Sequence, residues 1–197
     1  MAKKSITAAD VAKLAGVSQP TVSRVFGVET KVSKILELKV KTAAAELGYR
    51  PNRLARTLAT GRSKTIGLIV SFLDNPFYPE ALEKLSLVLN ESGYHILIFM
   101  AANQAEEIDT IVEDLLDNQV DGIIFASVGI SNSLTDRLVK ENIPLVLFNR
   151  GQDDPRLSSV TSANFEGGRT VAQFLLAGGH QRIAHISGWQ GSSTGRD

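Results

Sequence analysis

Cysteine is absent from the 197-residue chain. That excludes disulfides and thiolate metal sites, and a reducing cytoplasm is the simplest setting. Histidine is scarce: His95, His180 and His185 are the only three, and their spacing builds no metal site. No apolar run approaches the ~20 residues of a membrane-spanning helix, so no membrane partner is expected. Met1-Ala2-Lys3-Lys4 is followed by no apolar stretch, which argues against a secretory signal. No Ser/His/Asp arrangement stands out, so no catalytic residue, cofactor or metal is expected. What is present is ordinary for a soluble globular chain, with 43% hydrophobic and 21% charged residues. The length suits one or two domains with a sizeable core.

The net charge of zero hides an asymmetry. Residues 1–64 hold 13 Lys/Arg against 4 Asp/Glu, a net of +9, and residues 65–197 hold 8 against 17, a net of −9. A basic module joined to an acidic one implies that the first part meets a polyanion. A solvated, charge-rich arm is the alternative.

Three short helices are predicted in the first fifty residues. Thr7 caps a helix over Ala8–Ala15, whose Ala8, Val11, Ala12 and Ala15 follow helical spacing. Gly16 breaks it. Ser18 is a second N-cap, and Pro20 lies in the first turn, where a missing N–H costs nothing. This helix runs to about Phe26 with Val22 and Val25 inward. A third follows Ser33, with Leu36, Val40, Ala43 and Leu47 as its buried stripe and Gly48 as its stop. Two short helices joined by a tight glycine turn describe a helix-turn-helix, which places the start of its second helix in the major groove. Those residues are Gln19, Pro20, Thr21, Ser23 and Arg24. Gln and Arg suit bidentate contacts to base edges, and the hydroxyls of Ser18, Thr21 and Ser23 suit phosphate oxygens. A generic three-helix bundle with a wet polar face is the other reading.

The stretch from Ile6 to Val25, with Val11-Ala12-Lys13-Leu14-Ala15-Gly16-Val17-Ser18-Gln19-Pro20-Thr21-Val22-Ser23-Arg24, resembles the N-terminus of the LacI/GalR (lactose-repressor) family. So do Ala43-Ala44-Ala45-Glu46-Leu47-Gly48-Tyr49-Arg50-Pro51-Asn52, Ala55-Arg56, Leu58 and Ile66-Gly67-Leu68. The likeness extends along the whole chain. It departs at Leu36 and Glu37, where the family usually has a threonine and a basic residue, and at Val28 to Lys31, which lack the common Asn-Gly. These departures bear on phosphate contacts, not on the fold.

After Pro51, Asn52 is a plausible N-cap and Gly61 a stop. The residues between them, 53–60, are good helix formers but make only about two turns, too few for a stable isolated helix. The segment is therefore expected to be a conditional helix, with a plain interdomain linker as the alternative. The resemblance implies that it folds on DNA beside its dimer mate and wedges Leu58, with Ala55 beside it, into the minor groove. Ala59 stands where the family often has a lysine. The candidate DNA-binding residues are thus Thr7, Ser18, Gln19, Pro20, Thr21, Ser23, Arg24, Asn52, Ala55 and Leu58.

From Thr65 onward, strands and helices alternate, which implies a parallel sheet covered by helices. Strands are expected at 66–70, 94–99, 122–125, 145–148, 160–161 and 183–186. Helices are expected at 79–92, with Leu82, Leu85, Val88 and Leu89 inward, and at 106–118, 133–141 and 166–177. Such sheets bind ligands beyond the carboxyl ends of their strands, here Asp74 to Tyr78, Met100 to Asn103, Ser127, Asn149-Arg150 and residues 188–197. The resemblance implies an effector cleft, usually for a sugar or nucleobase, lined by Asn75, Phe77, Tyr78, Asn149 and Arg196. Ordinary polar loops are the alternative for each one.

The expected architecture is therefore an all-α helix-turn-helix domain (1–50), a hinge (51–62) and an incomplete α/β parallel-sheet, periplasmic-binding-protein-like effector domain. Its N-terminal subdomain covers 63–162, and 163–197 begin a truncated second one. The resemblance implies a cytoplasmic, nucleoid-associated homodimer that represses transcription at a near-palindromic DNA operator under control of a small effector such as a sugar. A solute-binding protein, or a fragment without effector response, are the alternatives.

Overall fold

Thr7 starts the first helix with a reciprocal cap. Its backbone N–H and hydroxyl donate to the Asp10 carboxylate at 2.9 and 2.7 Å, and the Asp10 N–H donates back to Thr7 Oγ1 at 3.4 Å. This satisfies donors that a helix start leaves unpaired. We describe residues 6–27, 32–52, 57, 60–71, 73–101 and 105–187 of a computed structural model of the chain. The chain divides into two units, Met1–Gly61 and Arg62–Asp197.

In the first unit, α1 (Ala8–Ala15), α2 (Gln19–Val25) and α3 (Lys34–Leu47) enclose a small core. Gly16 ends α1 at φ 67°, a left-handed conformation that lets the chain turn at once into α2. Val11, Val22 and Val40 are fully buried, packed with Ala12, Val25, Ala43 and Ala44. Each buried valine stabilises the unit by ~1.5–3 kcal/mol. Ser18 precedes α2 in extended conformation but makes no side-chain cap, because its hydroxyl pairs with that of Thr21 at 2.9 Å. Ser33 does cap α3, accepting the Leu36 N–H at 3.4 Å. Of the expected hinge helix, Thr57 and Thr60 are helical, and the Gly61 N–H donates to the Thr57 carbonyl at 2.7 Å. Residues 53–56, Leu58 and Ala59, and with them the predictions for Ala55 and Leu58, lie outside the described residues.

The second unit is a five-stranded parallel sheet of order β2-β1-β3-β4-β5. Its strands are β1 (Thr65–Val70), β2 (His95–Met100), β3 (Gly122–Ala126), β4 (Leu145–Phe148) and β5 (Ser158–Val160), and its helices are α4 (Phe77–Glu91), α5 (Ala105–Asp117), α6 (Asn132–Lys140) and α7 (Asn164–Ala177). Alternate residues of each strand face opposite layers. Ile69, Ile123, Phe125, Leu145 and Leu147 pack with Ile108, Val112, Leu115, Leu134 and Leu138. Leu68, Val70 and Ala126 pack on the other face with Tyr78, Leu82 and Leu85. Gly67 allows α5 close to β1: a Cβ there would stand 2.7 Å from both Leu115 Cδ atoms.

Four expectations are corrected. Helix α4 starts at Phe77 rather than Pro79, because the Asn75 side chain accepts the Phe77 N–H at 3.0 Å and Pro79 is tolerated in a first turn. Val88 is exposed, not inward; it flanks the stripe of Tyr78, Leu82 and Leu85. The fifth strand is Ser158–Val160, set by pairing with Val146–Phe148. Residues 183–186 form no strand and are exposed. An apolar stretch makes a strand only beside another strand, and among the described residues none pairs with this one. Helix α7 likewise buries no residue.

Candidate nucleic-acid interface and ligand cleft

Burial of Val22 and Val25 turns the opposite face of α2 outward. Gln19, Pro20, Ser23 and Arg24 are exposed, and Thr21 is half-buried. Thr7, Gln19, Ser23 and Asn52 line one groove of about 660 Å³, together with Tyr49 and Arg50. Ser18, Pro20, Thr21 and Arg24 are not among its lining residues. Sequence reasoning passed over Arg50; its basic charge beside Pro51, in a segment of net +9, was the available signal. The acidic departure on α3, Glu37, pairs with Lys41 at 2.6 Å, and this ion pair holds its carboxyl below the usual carboxylate range.

In the second unit, separate strand ends converge. Phe77, at the start of α4, stacks on Phe148, at the end of β4, with ring planes 9° apart and centroids 5.8 Å apart. Tyr78 meets Phe77 edge-on at 5.2 Å. The Asn149 amide donates to the buried Tyr78 hydroxyl at 2.8 Å. Asn149 has φ 60° and Ser127, after β3, has φ 59°. Such left-handed backbone is uncommon outside glycine, and asparagine tolerates it best. Burial lowers the pKa of the half-buried Arg150 guanidinium. Its Nη1 lies beside Gly129, 3.5 Å from where a Cβ would stand. The structure therefore joins Phe77, Tyr78 and Asn149 in one cluster and adds Phe148, which the sequence did not single out. Asn75 shapes the turn into α4, its side chain accepting the Phe77 N–H. Arg196 lies outside the described residues. Among the described residues no group of His, Asp or Glu could hold a metal ion, and no helix is long and apolar enough to cross a membrane.

This architecture can be compared with known proteins. Residues 7–52 match the profile of bacterial regulatory proteins of the lacI family, and residues 66–197 that of the periplasmic binding protein domain. The chain belongs to the lacI family. The sucrose operon repressor of Streptococcus mutans is 40% identical to this lacI-family chain over 185 residues, which cover 94% of the chain and 57% of that protein. The catabolite control protein A of Priestia megaterium is 34% identical over 93% of the chain and 55% of its own length. Among solved structures, the lac repressor dimer bound to operator and an anti-inducer superposes with TM-score 0.82 at 30% identity, over 98% of this chain and 59% of that one. A CelR–cellobiose complex superposes with TM-score 0.60 at 32% identity, over 97% and 58%. The lacI-family chain thus spans a little over half the length of the curated relatives it matches. Its helix-turn-helix and parallel-sheet units are those of the family, and the family match over residues 7–52 contains every predicted DNA contact except Ala55 and Leu58.

Proposed function

We propose that this chain carries the DNA-binding and effector-sensing parts of a transcriptional repressor. The observation that carries the reading is the exposed polar face of α2, with Gln19, Ser23 and Arg24 in a segment, residues 1–64, of net +9, ahead of a parallel sheet with an aromatic pair at its strand ends. Gln19 and Arg24 read base edges in the major groove, and Thr7, Ser18, Pro20, Thr21, Ser23 and Asn52 seat the unit on the DNA backbone. Residues 51–62 serve as the hinge, in which Ala55 and Leu58 reach the minor groove. The effector is a sugar or related metabolite: the Phe77–Phe148 pair offers it a flat apolar face, and Asn149, with Arg196, polar contacts. The names of the sucrose operon repressor and the CelR–cellobiose complex agree with that chemistry. The protein acts as a cytoplasmic, nucleoid-associated homodimer on a near-palindromic operator, a regulator rather than an enzyme. The exposed Leu87 and Val88 of α4 and Ile98 and Met100 of the edge strand β2 suit a second copy.

The test uses the full-length protein and a near-palindromic duplex recovered by selection from a random pool. Binding is measured by fluorescence anisotropy at 50 and 200 mM salt, with and without a panel of sugars that includes sucrose. The expected result is tight binding that weakens by about 10³-fold or more across that salt range, as counterion release from six or more phosphates requires. At least one sugar shifts the operator affinity. Sugar binding without any preference for a selected duplex would favour a solute-binding protein.

A further inference from the structure

Where the chain enters the second unit, one carboxylate gathers the backbone of the entering segment. Asp121, just before β3, accepts the Ser63 N–H at 2.8 Å and the Ser63 hydroxyl at 3.0 Å on Oδ1, and the Lys64 N–H at 3.2 Å on Oδ2. The Asp121 N–H donates to the Thr65 carbonyl at 2.8 Å. Ser63 Oγ in turn accepts the Thr65 N–H at 3.2 Å. Lys64 is held at φ 56°, its carbonyl accepts the His95 N–H at 2.9 Å, and its ammonium sits 4.1 Å over the Tyr94 ring. A lysine at positive φ is uncommon and persists only where its surroundings over-determine it. Of these, the His95–Lys64 bond is the first rung of the parallel ladder, in which β1 pairs with β2 and β3 from Thr65 and Ile66 onward; the bonds to the Asp121 carboxylate are not part of that ladder.

The placement gives the clasp a role. Only Arg62 separates the first held residue, Ser63, from Gly61, where the first unit ends. The same strand β3 that carries Asp121 at its start delivers Ser127 to the ligand end of the sheet. We propose that Asp121 is a positioning residue for DNA recognition: it fixes the point and direction at which the hinge segment leaves the sheet, and ties that exit to the strand that runs to the cleft. This rests on the reading of the chain as a DNA-binding regulator. Without the clasp, the hinge segment starts from many directions, and two hinge segments meet one operator less often in register. Base-independent phosphate contacts are made by the first unit and do not depend on the exit.

The experiment compares the full-length protein with its Asp121→Ala and Asp121→Asn variants, using the selected duplex and a random duplex of equal length. Amide exchange is followed at Ser63, Lys64 and Leu68–Val70. In Asp121→Ala, exchange at Ser63 and Lys64 should accelerate by about tenfold or more while Leu68–Val70 stay protected. The preference for the selected duplex should fall about tenfold with random-duplex affinity unchanged, a split that general destabilisation does not produce. If Asp121→Ala loses protection at Leu68–Val70, Asp121→Asn carries the test. It keeps one acceptor oxygen and should lose about threefold of the preference. Faster exchange with unchanged preference, or unchanged exchange, overturns the proposal. A parent protein that does not distinguish the duplexes overturns the regulator reading and the clasp's role with it, whereas a discriminating parent with equally discriminating variants overturns the clasp alone.

Discussion

The two units place their polar groups differently. In the basic unit, Gln19, Ser23 and Arg24 sit within six consecutive residues of one helix whose other face holds Val22 and Val25 in the core. In the acidic unit, Phe77, Tyr78, Phe148 and Asn149 come from two strand ends about seventy residues apart and meet only when the sheet is formed. The first site is a property of a helix, the second of a topology. Substitutions on α2 should therefore change recognition without changing the fold, whereas the cleft should fail whenever the sheet does.

The largest effect should come from Phe125→Ala, which empties a fully buried position between α5, α6 and the sheet. Such truncations cost ~3–5 kcal/mol, a large share of the ~5–15 kcal/mol that holds a domain together. Calorimetry should show the second unit melting earlier, while random-duplex affinity measured below that transition stays unchanged. Loss of both together would break the separation of the units. Next is Arg24→Ala, expected to cost ~1–3 kcal/mol on the selected duplex and to relax specificity at one base pair. An equal loss on random DNA would reduce Arg24 to a phosphate contact. Thr7→Ala removes the hydroxyl's half of the α1 cap, the bonds to the Asp10 N–H and carboxylate, but keeps the backbone N–H that donates to Asp10, and should lower the stability of the first unit by ~0.5–2 kcal/mol, readable as a shift in its own melting step and absent from the second. The smallest effect belongs to Asp154, whose pKa Arg156 lowers from 3.8 to about 2 through side-chain and backbone hydrogen bonds. A depressed carboxyl pKa contributes stability above the unfolded value and loses it as pH falls towards the folded one. Asp154→Asn should thus melt slightly below the parent at neutral pH, and the gap should close as pH drops from about 4 towards 2.

The same contrast explains what could be read beforehand. Caps and stops are local, so Thr7, Gly16, Ser33 and Gly48 could be placed from neighbouring residues alone. The alternation of strands and helices carried the parallel sheet, and the covered run Leu68-Ile69-Val70 marked a strand buried on both faces. What escaped depends on distant partners. Ser18 looked like a cap but spends its hydroxyl on Thr21. Ile183 to Ile186 read as a strand from sequence alone, yet have no strand beside them among the described residues. Phe148 gave no sign that it would stack on Phe77, and nothing near Ser63 announced a carboxylate 58 positions on. Residue types suited to a ligand could be named at strand ends, but which of them meet is decided by the packing of α4 on the sheet.

The order β2-β1-β3-β4-β5 also sets a schedule for synthesis. A three-helix unit built from local contacts folds in microseconds to milliseconds. The sheet cannot be finished until its edge strand Ser158–Val160 has been made, and at ~5–20 residues per second the ~100 residues after Gly61 take roughly 5–20 s to translate. On the ribosome the helix-turn-helix therefore stands folded for seconds while β1 waits for β3, with its apolar run Leu68-Ile69-Val70 uncovered. That interval, rather than any property of the finished fold, is when this chain is most open to chaperones and to aggregation.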